Sequence, residues 1–347
     1  MGLQSGVWLG AVLAAIAACA LSGVIAWCGP VDRPRARGMH DAPTPTAGGL
    51  ALFGGAAIAL FAAAPTIRPS AIGEIGFAAA FAVAIAHGLL GALDDVFDFG
   101  AKAKLLVQLV LALAFAALVH PARIPLTNTL GVDLPWLAGV AGVALWMIVA
   151  VNAVNFTDGS NGLVVGALAI VLSGLGLRTL GEADSALPAV LLGAAGACLG
   201  LLPWNYPKAR LFQGDAGALY LGALIAALAV VAAGPGRVAA PMNLFTVPIA
   251  LTPLLTDVLL TLIVRWRRKA RLFDAHKDHL YQRWMSAHGG DHGALARRFW
   301  LIIALYTLTA TSVAQGDPLA GVTAFAIGVA VAAAGWLWID RELRRSG

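Results

Sequence analysis

Ala216-Gly-Ala-Leu-Tyr-Leu-Gly-Ala-Leu-Ile-Ala-Ala-Leu-Ala-Val-Val-Ala-Ala233 is a run of 18 residues without a charge, close to the ~20 apolar residues that carry a helix across the hydrocarbon of a bilayer. Similar runs recur along the chain, and the sequence predicts further spans near Val7 to Cys28, Gly48 to Ala64, Ala71 to Leu93, Lys104 to Val119, Trp136 to Val154, Gly162 to Leu177, Leu187 to Leu202, Asn243 to Val264, Trp300 to Val313 and Leu319 to Ile339. They are too long and unbroken for barrel strands, which alternate polar and apolar residues in short segments. The expected fold class is therefore an all-α integral membrane protein, a polytopic bundle of eleven transmembrane helices forming one domain over residues 1–347.

Composition agrees. Apolar residues make up 60% of the 347 and charged ones 12%, whereas globular chains carry about 25% charge. That excludes a cytosolic enzyme, a disordered chain and a disulfide framework. The three cysteines, Cys19, Cys28 and Cys198, lie in or at the end of apolar runs and show no pairing pattern. With the amino terminus outside, 19 of the 23 Lys and Arg fall on the inner side, nine of them between Arg265 and Arg298, and only Arg68, Arg123, Arg178 and Arg237 fall outside. This asymmetry accounts for the net charge of +5 without nucleic acid as a partner. No Lys or Arg precedes the first apolar run, so no signal peptide is expected.

Ionisable groups near hydrocarbon are costly and mark function, and here the acids gather toward the inner face. Asp94 and Asp95 end the third span, Asp158 follows the fifth, Asp215 precedes the eighth, and Asp257 lies inside the ninth. Adjacent carboxylates at a helix carboxy terminus oppose each other and the dipole, so a cationic partner is expected, either a divalent metal or an ammonium. The block Asn152-Ala-Val-Asn155-Phe-Thr-Asp158-Gly159-Ser-Asn161-Gly162 places amides and a carboxylate at three-residue intervals, with glycines that permit sharp turns. Asn205 and Phe212 precede Gly214-Asp215-Ala-Gly217, where a starting helix favours an anion and Phe212 could stack on a base. His276 and His279 stand three apart, on one face if helical. Two ligands argue against zinc, and phosphate binding or proton transfer suits them better. For Asp257, deep in a span that Pro248 and Pro253 are expected to kink, a metal or a basic residue is the expected partner.

These blocks, in order from Asp32 to Arg283, resemble the polyprenyl-phosphate N-acetylhexosamine-1-phosphate transferases, glycosyltransferase family 4. The carriers are Asp32-Arg-Pro with Arg37, His40, Pro43-Thr-Pro and Gly48-Gly49; Asp94-Asp95 with Lys104 and Gln108; the Asn152 block; Asn205, Pro207 and Phe212 with Gly214-Asp215; Asp257; and Ala-His276-Lys-Asp-His279-Leu-Tyr281-Gln282. Eleven spans and the histidine block look most like the N-acetylglucosaminyl branch and the enzymes that initiate O-antigen and other surface polysaccharides. Two positions depart: Asn161 stands where many members carry a second Asp, and Ala218 where Ser is usual. Asn keeps hydrogen bonding and loses charge.

The resemblance implies transfer of a sugar-1-phosphate from a UDP-N-acetylhexosamine to undecaprenyl phosphate, releasing UMP, at the cytoplasmic side of the inner membrane. It implies Mg2+ or Mn2+ held by Asp215 with Asp94 and Asp158, and catalytic roles for Asp94, Asp95, His276 and His279. Asn152, Asn155, Asp158, Asn161, Asn205, Phe212 and Arg265 would contact substrate, and the cytoplasmic loop 265–298 would complete the active site. Whether Asp94 or Asp95 acts as a base, which amino sugar is used, and whether the chain forms a homodimer are left open. The rival readings are a transporter of nucleotide or lipid-linked sugars, which would show repeats and midplane sites, and a phospholipid-synthesising phosphotransferase, whose Asp-Gly signature is not found.

Overall fold

The computed structural model describes residues 3–32, 43–66, 74–125, 127, 130–181, 186–234, 240–272, 274, 276–315 and 317–345. Arg33, Arg35, Arg37 and His40 lie outside the described residues. The helices are α1 (Leu3–Cys28), α2 (Gly49–Ala63), α3 (Glu74–Phe97), α4 (Ala101–Val119), α5 (Trp136–Thr157), α6 (Leu163–Thr179), α7 (Ala186–Asn205), α8 (Gly214–Ala233), α9 (Thr246–Arg267), α10 (Leu280–Ala287), α11 (His292–Val313) and α12 (Pro318–Arg345). Two short antiparallel pairs complete the list: β1 (Val31–Asp32) with β2 (Thr44–Pro45), and β3 (Arg123–Pro125) with β4 (Gly131–Asp133).

Eight of these helices, α1, α3, α4, α5, α7, α8, α9 and α12, are long and apolar enough to cross a membrane. Two further apolar helices, α2 and α6, are shorter, with 15 and 17 residues, and α11 carries His292, Arg297 and Arg298 in its first two turns. The chain is a polytopic helical membrane protein. The eighth helix is its axis: every residue from Ala216 to Ala232 is buried, enclosed by α3 and α5 with α2 alongside. A helix so enclosed is apolar on all sides, which is why its sequence shows no polar stripe.

Because lipid tails are as apolar as Leu, membrane helices associate by close packing, and small residues permit it. The α3–α8 crossing shows this: a Cβ at Gly91 would stand 2.2 Å from the carbonyl oxygen of Asp215. In a second group, α1 packs on α7 and α2, and a Cβ at Gly196 would stand 2.2 Å from the carbonyl oxygen of Ala11. On the other flank α9 meets α11 and α12, and α6 meets α7 and α11. The carboxy-terminal ends of α3, α5 and α9 thus share one end of the bundle with the amino-terminal ends of α4, α6 and α8.

Candidate active site at the helix ends

The neighbouring carboxylates of α3 have different partners. Successive helical residues point about 100° apart, and here the divergence separates their jobs. Asp94 accepts the backbone N–H of Phe99 at 2.9 Å and the Lys104 ammonium at 2.7 Å. Asp95 instead accepts the backbone N–H groups of Asp215 at 3.0 Å and Ala216 at 3.2 Å. It caps α8 from another helix, at a terminus whose own N-cap, Gln213, provides no side-chain bond. A carboxylate at a helix amino terminus is favoured by the unpaired N–H groups and the dipole. Gly214 makes this approach feasible: its φ is +68°, and a Cβ there would stand 2.4 Å from Asp95 Oδ2.

The cationic partner expected for the paired acids is Lys104. Its Nζ lies 2.7 Å from Asp94 Oδ2 and 2.5 Å from Asp215 Oδ2, so a single positive centre joins α3, α4 and α8. One turn deeper, Gln108 of α4 accepts from Asn152 of α5 at 2.6 Å, and Asn152 also donates to the Ile148 carbonyl at 2.8 Å.

From this acidic centre the site continues into the turn after α5. Asn155, half-buried, lies in the last turn of α5, and Asp158 is the C-cap. Burial, reinforced by the negative charges of Asp215 and Asp95, holds the Asp158 carboxyl well above its ordinary range. The Gln213 side chain faces Asp158 and favours its charged form. It is 1% exposed, and neither end of its amide has a hydrogen-bond partner within normal length. The turn is fastened by Tyr281 of α10, whose hydroxyl donates to the Phe156 carbonyl at 2.9 Å and accepts from Gly159 N–H at 3.1 Å.

Asn161 and Asn205 hold loops together. Asn205 is buried, accepts from Gly162 N–H at 2.7 Å and donates to the Leu211 carbonyl at 2.9 Å. Asn161 donates to the Pro207 carbonyl at 3.3 Å, and its backbone N–H reaches His292 Nδ1 at 3.2 Å. Phe212, half-buried, is fixed by its backbone: its N–H donates to Pro45 and its carbonyl accepts from Gly48.

The 257–283 region is held by contacts between residues far apart in the chain. The segment 276–279 is not helical; His279 is the extended N-cap of α10, with φ −57° and ψ 141°. The two imidazoles still meet, with ring centroids 5.0 Å apart. Asp257 Oδ1 accepts from Leu280 N–H at 2.8 Å and the Trp336 indole at 2.9 Å, and the imidazole of His279 lies with its Nδ1 3.8 Å from Oδ2. Arg265 is buried, pairs with Asp278 and donates to the Arg271 carbonyl at 2.6 Å. It braces the loop.

Burial pushes both His276 and His279 down to about 4; for His276 the neighbouring His279 and Arg265 add to this, and for His279 Arg265 adds while Asp278 opposes. Both are neutral near pH 7. A histidine whose folded pKa lies below its unfolded value of 6.5 makes the unfolded chain bind more protons between the two. The stability it contributes is therefore present above pH 6.5 and declines as pH falls toward 4. Thermal melts at pH 7.5, 6 and 5 should show a falling midpoint that flattens in His276→Gln/His279→Gln. An equally steep fall in the double variant would assign the effect elsewhere.

Of the residues expected in the site, Asp94, Asp95 and Asp215 meet directly through Lys104 and the start of α8. Asp158 lies close enough to feel Asp95 and Asp215, and the histidines join this turn through Tyr281. Among the described residues no three His, Cys, Asp or Glu side chains form a ready metal cage. Gln213, Tyr281 and His292 carry no expected role from the sequence, although Tyr281 belongs to the histidine block and Gln213 is a polar residue directly before Gly214-Asp215 in so apolar a chain.

Together these features define a polytopic membrane protein with an acidic, glycine-lined site where helix ends converge. The chain belongs to glycosyl transferase family 4, whose profile matches residues 77–233. It is 32% identical to the decaprenyl-phosphate N-acetylglucosaminephosphotransferase of Mycolicibacterium smegmatis, over 91% of this chain and 83% of that one. It is 30% identical to the probable undecaprenyl-phosphate N-acetylglucosaminyl 1-phosphate transferase of Bacillus subtilis, over 81% and 76%. It is also 39% identical to a phospho-N-acetylmuramoyl-pentapeptide-transferase of Synechococcus sp., over 42% and 45%.

Proposed function

We propose that the protein transfers a sugar-1-phosphate from a UDP-N-acetylhexosamine to undecaprenyl phosphate, the initiating step of a cell-surface polysaccharide. An oxygen of the lipid phosphate attacks the sugar-bearing phosphorus, that phosphorus parts from the bridging oxygen, and UMP leaves. The observation that carries this reading is the Asp94–Lys104–Asp215 centre beside the Asn155–Asp158 turn, in a chain whose relatives are named for this chemistry. Transport has no comparable support, since the polar residues gather at one end of the bundle.

The donor set suits Mg2+ or Mn2+. Mg2+ is typically bound by one or two carboxylates with waters and substrate phosphates rather than in an all-protein cage. Asp215 and Asp94 already share a cationic point, and Asp158 lies close by. In this reading a bound ion neutralises charge on the diphosphate. The protein's own part is positioning: Asp95 fixes the start of α8, and Lys104 holds Asp94 and Asp215 toward the phosphates. Phe212, Asn155 and Asp158 face the uridine, while neutral His276 and His279 hydrogen-bond the diphosphate or sugar. Near neutral pH the lipid phosphate is already largely ionised, so alignment contributes more than a base. Eleven crossings with the amino terminus outside would put this end at the cytoplasmic face of the inner membrane, in keeping with the Lys and Arg distribution.

The test incubates membranes containing the protein with undecaprenyl phosphate, Mg2+ and a panel of UDP-amino sugars. UMP release dependent on lipid and metal with at least one sugar is expected; its absence with every sugar overturns the reading.

A further inference from the structure

The last helix packs on α9, α10 and α11 with little of its surface covered. Of the 28 residues of α12, Gly321, Trp336 and Asp340 are the buried ones, and much of the remaining length is apolar and exposed, as a lipid-facing helix is. Gly321 lies at the far end, against Asn243. Trp336 and Asp340 are one turn apart, on one face, and both bond to groups that hold the histidine segment. The Trp336 indole donates to Asp257 Oδ1 at 2.9 Å, the same oxygen that accepts from the N–H of Leu280, the residue after His279. Asp340 accepts from Arg283 of α10 at 2.5 Å and from Arg344 at 2.8 Å.

We propose that the inner end of α12 is a positioning latch: Trp336, through Asp257, and Asp340, through Arg283, hold the His276–His279 segment and α10 against the catalytic centre. The inference rests on the transfer reading for its kinetic arm only. Asp257 Oδ1 carries two close donors, Leu280 N–H and the indole, with the Thr261 hydroxyl farther off at 3.4 Å. Its other oxygen lies 3.8 Å from His279 Nδ1, which is buried without a hydrogen-bond partner. Removing the indole N–H takes a donor from one oxygen and frees the carboxylate to turn toward the imidazole. Leu280, Tyr281 and the 156–159 turn that Tyr281 fastens would shift with it. Trp336 and Asp340 touch no reacting group, so both are positioning residues.

The experiment compares Trp336→Phe, which keeps a ring in the pocket, Asp340→Asn, which loosens the second clamp, and Trp338→Phe, an exposed neighbour, as control. One readout is labelling of His279 by diethylpyrocarbonate, followed by mass spectrometry; this residue is 3% exposed in the intact protein. The other is the split between kcat and KM for undecaprenyl phosphate. Labelling should rise at least about threefold in Trp336→Phe and Asp340→Asn. Their kcat should fall about tenfold, the scale of one lost hydrogen bond to a charged acceptor, with KM unchanged, while Trp338→Phe behaves as wild type. His279 labelling unchanged in both variants, or raised equally in the control, overturns the latch. A wild-type protein that releases no UMP would sink the transfer reading instead, and the labelling arm would still decide the latch.

Discussion

Asp215→Asn should lower UMP release by about 10² to 10³, the usual cost of removing one charged group that stabilises a phosphoryl-transfer transition state, in a protein that still folds and inserts. Asn keeps the size of the side chain and its place at the start of α8. The N–H groups there are held by Asp95, whose bonds to Asp215 and Ala216 use their backbone nitrogens and survive the change. Lys104 also retains Asp94. What disappears is one carboxylate of the pair that would grip the ion and face the diphosphate. Turnover within tenfold of wild type, measured with saturating lipid and Mg2+, would remove Asp215 from the centre of the mechanism.

Lys104→Met should be damaging in a different way. Asp94 and Asp215 would face each other with no ammonium between them. Breaking a buried ion pair costs about 3–5 kcal/mol, most of it from the charge left behind. Lys104 and its two partners retain 11 to 27% side-chain exposure, so about 2 kcal/mol is the appropriate scale here. The thermal midpoint should drop, and millimolar Mg2+ should restore more of it in the variant than it adds to wild type, because the ion takes over the neutralisation. Activity should fall about 10²-fold. A variant whose midpoint matches wild type without metal would show that the lysine holds nothing together.

Much of this was legible in the chain. Apolar runs marked the helices, and the scarcity of charge made each inner-face acid conspicuous. Asp94, Asp95, Asp158 and Asp215 stand out in the sequence because a bilayer tolerates so few like them, and the fold brings them to one end of the bundle. What sequence could not supply was the partner of each group across helices. Asp94 and Asp95 are neighbours in the chain, yet one pairs with a lysine and the other caps a helix 120 positions away. Asn205 reads as a ligand-binding amide, but both its ends are taken by backbone. The two histidines would share a face in a helix, and their rings meet instead across an extended segment anchored by Asp257. Little local reveals that anchor, since its close donors come from Leu280 and from Trp336 in the last helix.

The crossing of α3 with α8 carries a consequence for diversity in such enzymes. Where Gly91 lies against Asp215, main chain touches main chain, and no side chain is there to be enlarged, trimmed or repolarised. That foundation admits no gradual adjustment: a methyl group would wedge the acids apart. A new sugar preference in a descendant of this sequence would therefore have to be written in the turns around the foundation, 156–162, 203–213 and 276–282, leaving the chemistry beneath untouched.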